Sequence, residues 1–144
     1  MAPRTDIPLL RAEQEALAAR VVREDALGPV RLIGGVDISS TRFDPERLVH
    51  AAVVVLSWPG LEPAAEAAAT ERVDLPYIPG YLGFREVPVL LAAWDALVEK
   101  PDLVVVDGHG LAHPRRAGIA TPLGVVLDVP TIGSAKTLLC GVVE

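Results

Sequence analysis

The chain has 144 residues, a formal charge of −6 and a hydrophobic fraction of 51%, which suits one domain spanning residues 1–144 with a sizeable core. No apolar run is long enough to span a bilayer and the first residues lack a secretion signal, so no membrane partner is expected. The single cysteine, Cys140, excludes an internal disulfide and suits a reducing cytoplasm. The negative charge argues mildly against a non-specific nucleic-acid binder, although divalent cations in a carboxylate site would change the local field.

Hydrophobic periodicity predicts a helix and then three strands in the first half of the chain. The helix covers residues 9–22, with Leu10, Leu17 and Val21 on its apolar face. The strands are expected over residues 31–39, 48–57 and 64–73. The third strand is ambiguous with a helix because alanine and glutamate dominate it, and it is assigned as a strand because it follows a hairpin-like turn.

The second half begins with a loop over residues 74–83, which is rich in proline and glycine. The clearest helix covers residues 87–99, where Pro88 suits the first turn and apolar residues recur at three- and four-residue spacing up to Val98. A buried strand at 103–106, a short helix at 118–127 and a short strand at 131–133 follow. This order predicts an α/β fold, in which a mixed sheet is covered by helices.

Three acidic residues stand where folding does not require a carboxylate. Asp37 interrupts an apolar strand, Glu86 lies at the mouth of the second helix, and Asp107 ends the buried strand. Ligands gather at strand ends and helix mouths of α/β sheets, and converging carboxylates repel one another unless a hard cation joins them. Mg²⁺ takes oxygen ligands, and two such ions can clamp the attacking and leaving oxygens of a phosphodiester.

Each of these acids also has a simpler interpretation. Asp107 before Gly108 is a common turn pair, and Glu86 favours the positive end of a helix whether or not a ligand is bound. Asp37 within a strand is the hardest to explain without a partner or a metal, because burying an unpaired carboxylate is costly. None of the three acids identifies a metal site alone.

The loop around Tyr77 offers a different kind of candidate. Its sequence, Pro76-Tyr77-Ile78-Pro79, is stiffened by two prolines. A stiff loop with an aromatic residue is suited to wedging between bases, and equally to packing on the edge of its own domain. Spacing alone favours the packing interpretation.

A basic loop punctuated by glycines follows the buried strand. Arg115 and Arg116 can bind phosphates, and His113 can stabilise a scissile phosphate or a leaving group. Lys136, after Gly133-Ser134-Ala135, can reach a phosphate. Each of these residues also fits an ordinary solvated loop.

Taken together, these segments resemble the endonuclease V family. The resemblance is carried in family order by residues 35–39, 76–80 with 84–86, 101–110, 113–116 with 118–120, and 130–136. One motif alone would be weak, but several in order and at plausible spacing give a specific signal over most of the chain, from about Leu32 to Gly141.

The resemblance implies a ribonuclease-H-like fold and an endonuclease that nicks DNA at the second phosphodiester 3′ to deoxyinosine, in DNA repair. Some family members also cut inosine-containing RNA. Mg²⁺ or Mn²⁺ would be held by Asp37, Glu86 and Asp107, with His113 and Lys136 as catalytic or phosphate-contacting residues. The protein is expected to be a monomer. The resemblance also implies that DNA is contacted by a wedge loop, by a basic loop and by glycines that let a flipped base approach. These residues are Tyr77, Ile78, Pro79, Gly80, Gly83, Gly108, Arg115, Arg116 and Gly118.

Two departures from the family pattern bear on activity. Pro122 stands where members commonly carry a histidine, and the family continues well beyond the glycine that matches Gly141, whereas this chain ends at Val142-Val143-Glu144. The domain is therefore expected to be incomplete at its C-terminus. A catalytically impaired nucleic-acid-binding homologue and a degenerate product with neither activity are the alternative hypotheses.

Overall fold

Five strands and three helices make up the computed structural model, which describes residues 6–142. The strands are β1 (Leu32–Ser40), β2 (Leu48–Ser57), β3 (Pro63–Arg72), β4 (Leu103–Asp107) and β5 (Thr131–Ser134). The helices are α1 (Ile7–Ala19), α2 (Gly83–Ala96) and α3 (Ala120–Leu127). Residues 1–5, where no secretion signal is predicted, lie outside the described residues, as do the terminal Val143 and Glu144.

All five strands belong to one mixed sheet, in the order β3-β2-β1-β4-β5. β1 and β2 pair antiparallel, as do β2 and β3, whereas β4 pairs parallel with both β1 and β5. The predicted α/β fold with a mixed sheet is confirmed, and pairing with β2 establishes the ambiguous third segment as a strand. Within the described part of the chain, no helix is long and apolar enough to cross a membrane.

The core lies between one face of the sheet and α2. Alternate residues of β2 are buried, which is the period-two pattern of a strand with one covered face. Burying each large aliphatic side chain contributes about 1.5–3 kcal/mol, so this layer dominates the packing. Its central members are Val49, Val53, Val55, Val89, Leu90, Ala93, Val104 and Val106.

The second helix differs from the sequence prediction at both ends. It begins at Gly83, so Pro88 lies inside the helix and Glu86 falls in its first turn. It ends at Ala96, because Leu97 is extended and the ammonium of Lys100 donates to the carbonyls of Trp94 and Leu97. Val98, expected on the apolar face, is therefore 89% exposed.

The first helix is also shifted from its predicted range. The carboxylate of Asp6 accepts a hydrogen bond from the backbone N–H of Leu9 at 3.1 Å, which caps a helix that starts at Ile7. The helix ends at Ala19, so Val21 lies beyond it. Its two buried residues are Leu10 and, unexpectedly, the polar Gln14.

Candidate active site

Two of the predicted carboxylates are neighbours at the edge where β1 and β4 end. Val36 of β1 pairs with Val106 of β4 in parallel register, so Asp37 and Asp107, one residue further along, lie on adjacent strands about 5 Å apart by normal strand spacing. Both aspartates are exposed, while Val36 and Val106 are buried on the opposite face. The backbone N–H of Ile38 donates to the Asp37 carboxylate at 2.8 Å.

Glu86 brings the third carboxylate from the first turn of α2. The pKa of Glu86 is raised from 4.5 to about 7, because burial, the largest cause, and the charge of Asp37 together outweigh the opposing effect of Arg85. Glu86 and Asp37 are therefore close enough to repel each other when both are ionised. A cation between them would relieve that repulsion.

These three residues suit a hard divalent cation by their chemistry, since Asp37, Glu86 and Asp107 offer only oxygen ligands. Their side chains do not converge on one point, however. Among residues 6–142, no three acidic, histidine or cysteine side chains are grouped tightly enough to hold an ion. The three predicted ligands thus lie at one edge of the sheet, but their carboxylates are too far apart to bind one ion together. Binding an ion requires their side chains to turn toward one another.

Three donors converge on the carbonyl oxygen of Gly80, which lies at the end of the predicted wedge loop and three residues before the start of α2. Gln14 Nε2 lies 2.7 Å from that oxygen, Arg115 Nη2 3.1 Å and His113 Nε2 3.2 Å. Arg115 Nε also donates to Gln14 Oε1. Gly80 has a φ of +84°, a conformation that favours glycine. These residues, Gln14, Gly80, His113 and Arg115, are called the Gly80 clamp.

The hydrogen bonds of His113 fix its protonation pattern. Its Nδ1 accepts from the backbone N–H groups of Arg115 at 3.1 Å and Ala117 at 3.4 Å, so the ring proton sits on Nε2 and is donated to Gly80. Desolvation lowers the pKa of His113, which favours this neutral form. Because both ring nitrogens are engaged, the predicted catalytic histidine joins two loops in this conformation.

Cations at the site fall into two groups. Arg115 is used internally, in the Gly80 clamp and against the Tyr81 ring, whose centroid lies 4.5 Å from its guanidinium carbon. Arg116 and Lys136 are exposed, and Lys136 follows closely after Ser134, the partner of Asp107 in the β4–β5 pairing. Arg116 and Lys136 are therefore better placed than Arg115 to meet a phosphate.

Two of the predicted DNA-contacting glycines have a packing role inside the protein. A Cβ on Gly118 would collide with the backbone of His109, and one on Gly108 would collide with the Ile119 side chain. Gly83 is less constrained, because a Cβ there would meet Pro122 at an ordinary 3.7 Å. Tight packing of the basic loop on itself thus explains Gly108 and Gly118 without any bound base.

The proline that departs from the family pattern is accommodated without loss of a helix. Pro122 lies in the first turn of α3, where a backbone N–H has no helical partner. Together with Leu17, Phe84 and Val126 it lines an apolar cleft between the three helices. Pro122 therefore packs among apolar side chains of the three helices.

Gln14 was missed as a candidate from the sequence, although a signal for it exists. Its spacing from Leu10 and Leu17 places it on the apolar stripe of α1, where a polar residue needs a hydrogen-bond partner. The structure supplies those partners from residues 66 and 101 positions away in sequence. A buried arginine, Arg85, whose Nη1 donates to the Leu75 carbonyl, was missed in the same way.

We expect Gln14→Leu to loosen the wedge loop. The substitution keeps the size of the side chain but leaves buried polar groups of Gly80 and Arg115 with fewer partners, which costs about 1–3 kcal/mol. The midpoint of thermal unfolding should fall, and amide hydrogen exchange at residues 80–82 should accelerate. Glu15→Leu is the matched control, since it removes only an exposed ion pair with Arg11. Unchanged exchange in Gln14→Leu would show that Gln14 does not hold the loop.

Fold and site together define an α/β protein with an acidic site at the edge of a mixed sheet, flanked by a clamped loop and a basic loop. The family model for endonuclease V matches residues 15–144. The chain belongs to the endonuclease V family, as its motifs predict.

Individual relatives agree with this assignment. Endonuclease V of Gloeobacter violaceus is 56% identical over 128 residues, which cover 89% of this chain and 52% of that protein. The crystal structure of endonuclease V from Streptomyces avermitilis has a TM-score of 0.85 at 45% identity, over 94% of this chain and 59% of that one. Endonuclease V of Ciona intestinalis, in complex with a 23mer DNA containing an inosine followed by a ribo-adenosine, has a TM-score of 0.76 at 32% identity, over 94% and 59%. The chain thus spans between half and two thirds of the length of these relatives.

Proposed function

We propose that the protein is a metal-dependent endonuclease that nicks DNA at the second phosphodiester 3′ to deoxyinosine, in the repair of deaminated adenine. The observation that carries the proposal is the placement of Asp37, Glu86 and Asp107 at one sheet edge of an endonuclease V family member. The inosine-containing DNA bound by the Ciona relative supports deoxyinosine as the lesion.

Asp37, Glu86 and Asp107 would hold Mg²⁺ or Mn²⁺, which supplies positive charge for the transition state of phosphodiester cleavage. Glu86 must give up its proton to serve as a ligand, so its raised pKa makes ion binding depend on pH. Exposed Arg116 and Lys136 contact DNA phosphates and set its position on the protein.

The Gly80 clamp has a separate task in this mechanism. It holds the end of the loop that carries Tyr77 against α1 and the basic loop. Exposing a base in a duplex costs a few kcal/mol. A wedge loop that is already ordered before binding loses less conformational entropy when DNA binds, so more of the binding free energy is left for exposing the base. The half-buried Tyr77 is the residue that enters between bases.

A nicking assay tests this proposal. A labelled duplex with one deoxyinosine should be cut at the second phosphodiester 3′ to the lesion in Mg²⁺ or Mn²⁺, while the matching deoxyadenosine duplex stays intact. Chelation with EDTA should stop the reaction, and added Mg²⁺ should restore it. Absence of cleavage with both ions would overturn the proposal.

A binding protein without turnover is the second candidate. It is favoured by the open arrangement of the three carboxylates among residues 6–142. In that case the protein would bind the deoxyinosine duplex more tightly than the deoxyadenosine duplex, and neither ion would give product.

A further inference from the structure

The tip of the β1–β2 hairpin, residues 41–47, presents an aromatic ring to solvent beside the wedge loop. Phe43 is 83% exposed. The guanidinium carbon of Arg42 lies 5.3 Å from the centroid of the Phe43 ring and 6.0 Å from that of Tyr77. Arg42 therefore bridges a ring of the hairpin tip and a ring of the wedge loop.

The hairpin tip is held in shape by hydrogen bonds of the Asp44 side chain and by contacts of Arg47 with residues 73 and 74. The Asp44 carboxylate accepts hydrogen bonds from the N–H groups of Glu46 and Leu48, both at 2.9 Å. Arg47 forms an ion pair with Asp74 at 3.3 Å, and its carbonyl accepts from the Val73 N–H at 2.9 Å. None of these contacts uses the Phe43 side chain, so its ring is presented on an ordered loop that does not need it for folding.

Position links the hairpin tip to the candidate active site. β1 ends at Ser40, three residues after Asp37, which corresponds to about 10 Å of extended strand. The hairpin tip thus projects from the same edge of the sheet as the carboxylates. Val98, comparably exposed, follows the other end of α2 and lies about 20 Å along that helix from the edge.

We propose that Arg42 and Phe43 form, together with Tyr77, a stacking platform for an unpaired base of bound DNA. The inference rests on the proposed function, because the platform lies beside the lesion only if Tyr77 is the wedge. Aromatic rings stack on any base, and an arginine over the ring adds a cation–π contact. Charge contributes little, because Asp44, Glu46 and Asp74 offset the positive charge of Arg42 and Arg47.

Fluorescence anisotropy with a labelled deoxyinosine duplex, in Ca²⁺ so that binding is measured without cleavage, tests the platform. Phe43→Ala should raise Kd about tenfold, the loss expected for one stacked base, while Phe43→Trp should bind like the wild type. The control Val98→Ala removes an apolar side chain of similar exposure and should leave Kd unchanged. Thermal unfolding of all three variants should match the wild type.

Substitution of Arg42 separates stacking from general charge. Arg42→Gln should weaken binding without changing its salt dependence, whereas Arg31→Gln, an exposed arginine before the opposite end of β1, should have no effect. If both variants weaken binding alike and reduce the salt slope by about one, charge alone is involved and the platform is overturned. If Phe43→Ala binds as the wild type does, the platform is overturned while the proposed function stands. If the wild type neither binds nor cuts deoxyinosine DNA, the proposed function fails and the platform fails with it.

Discussion

Replacing Asp107 with asparagine should abolish Mg²⁺-dependent nicking of a deoxyinosine duplex while leaving the fold intact. Asp107 is exposed at the end of β4, and its side chain makes no hydrogen bond or ion pair with other residues in the range 6–142. Its loss should therefore change the free energy of unfolding by no more than about 0.5 kcal/mol. If the carboxylate is an ion ligand, losing several kcal/mol of transition-state stabilisation lowers the rate by about a thousandfold or more.

Three measurements define the outcome for Asp107→Asn. Single-turnover nicking reports the rate, thermal unfolding reports the fold, and anisotropy reports binding to the deoxyinosine duplex. Asp95→Asn, an exposed aspartate near the far end of α2, makes the same chemical change away from the edge and should cut like the wild type. Full cleavage by Asp107→Asn would remove this residue from the mechanism.

The sheet and the proximity of Asp37 to Asp107 were predictable because both follow from the local pattern of apolar residues along the chain. Apolar runs and alternation identify the strands, and parallel strands carry the residues at their carboxyl ends to one edge. The start of α2 was placed four residues late because Pro88 was taken as a first-turn proline, whereas the helix includes it as an interior residue. Local propensity cannot show that packing against the sheet tolerates a proline there.

The Gly80 clamp and the raised pKa of Glu86 were beyond sequence reasoning for a different reason. The clamp joins α1, the wedge loop and the basic loop, and its hydrogen bonds span 33 to 101 residues. The pKa depends on how deeply the first turn of α2 is buried and on its distance from Asp37. Both depend on how helices and loops that are distant in sequence pack against one another. Local sequence patterns do not show that packing, which becomes visible only in the complete fold.

Replacing Glu86 with glutamine should stabilise the metal-free protein at pH 8 and leave its stability nearly unchanged at pH 4. The pKa of Glu86 is raised from 4.5 to about 7, so between these values the folded chain keeps a proton that the unfolded chain releases. Stability of the wild type therefore falls as pH rises through this window, by about 3 kcal/mol once the pH exceeds 7. Glutamine never carries the charge and avoids this cost, which corresponds to a Tm higher by roughly 10 °C at pH 8.

Calorimetry in EDTA at several pH values measures this difference, with Glu99→Gln as the control because Glu99 is exposed. Adding Mg²⁺ at pH 8 should then raise the Tm of the wild type, whose ionised Glu86 gains a partner, and raise that of Glu86→Gln much less. A variant less stable than the wild type at pH 8 in EDTA would show that the Glu86 carboxylate is stabilised by its surroundings without a metal. A larger increase in Tm for the wild type than for Glu86→Gln on adding Mg²⁺ would link the unfavourable charge of Glu86 to ion binding, because the ionised carboxylate destabilises the fold until a cation is bound.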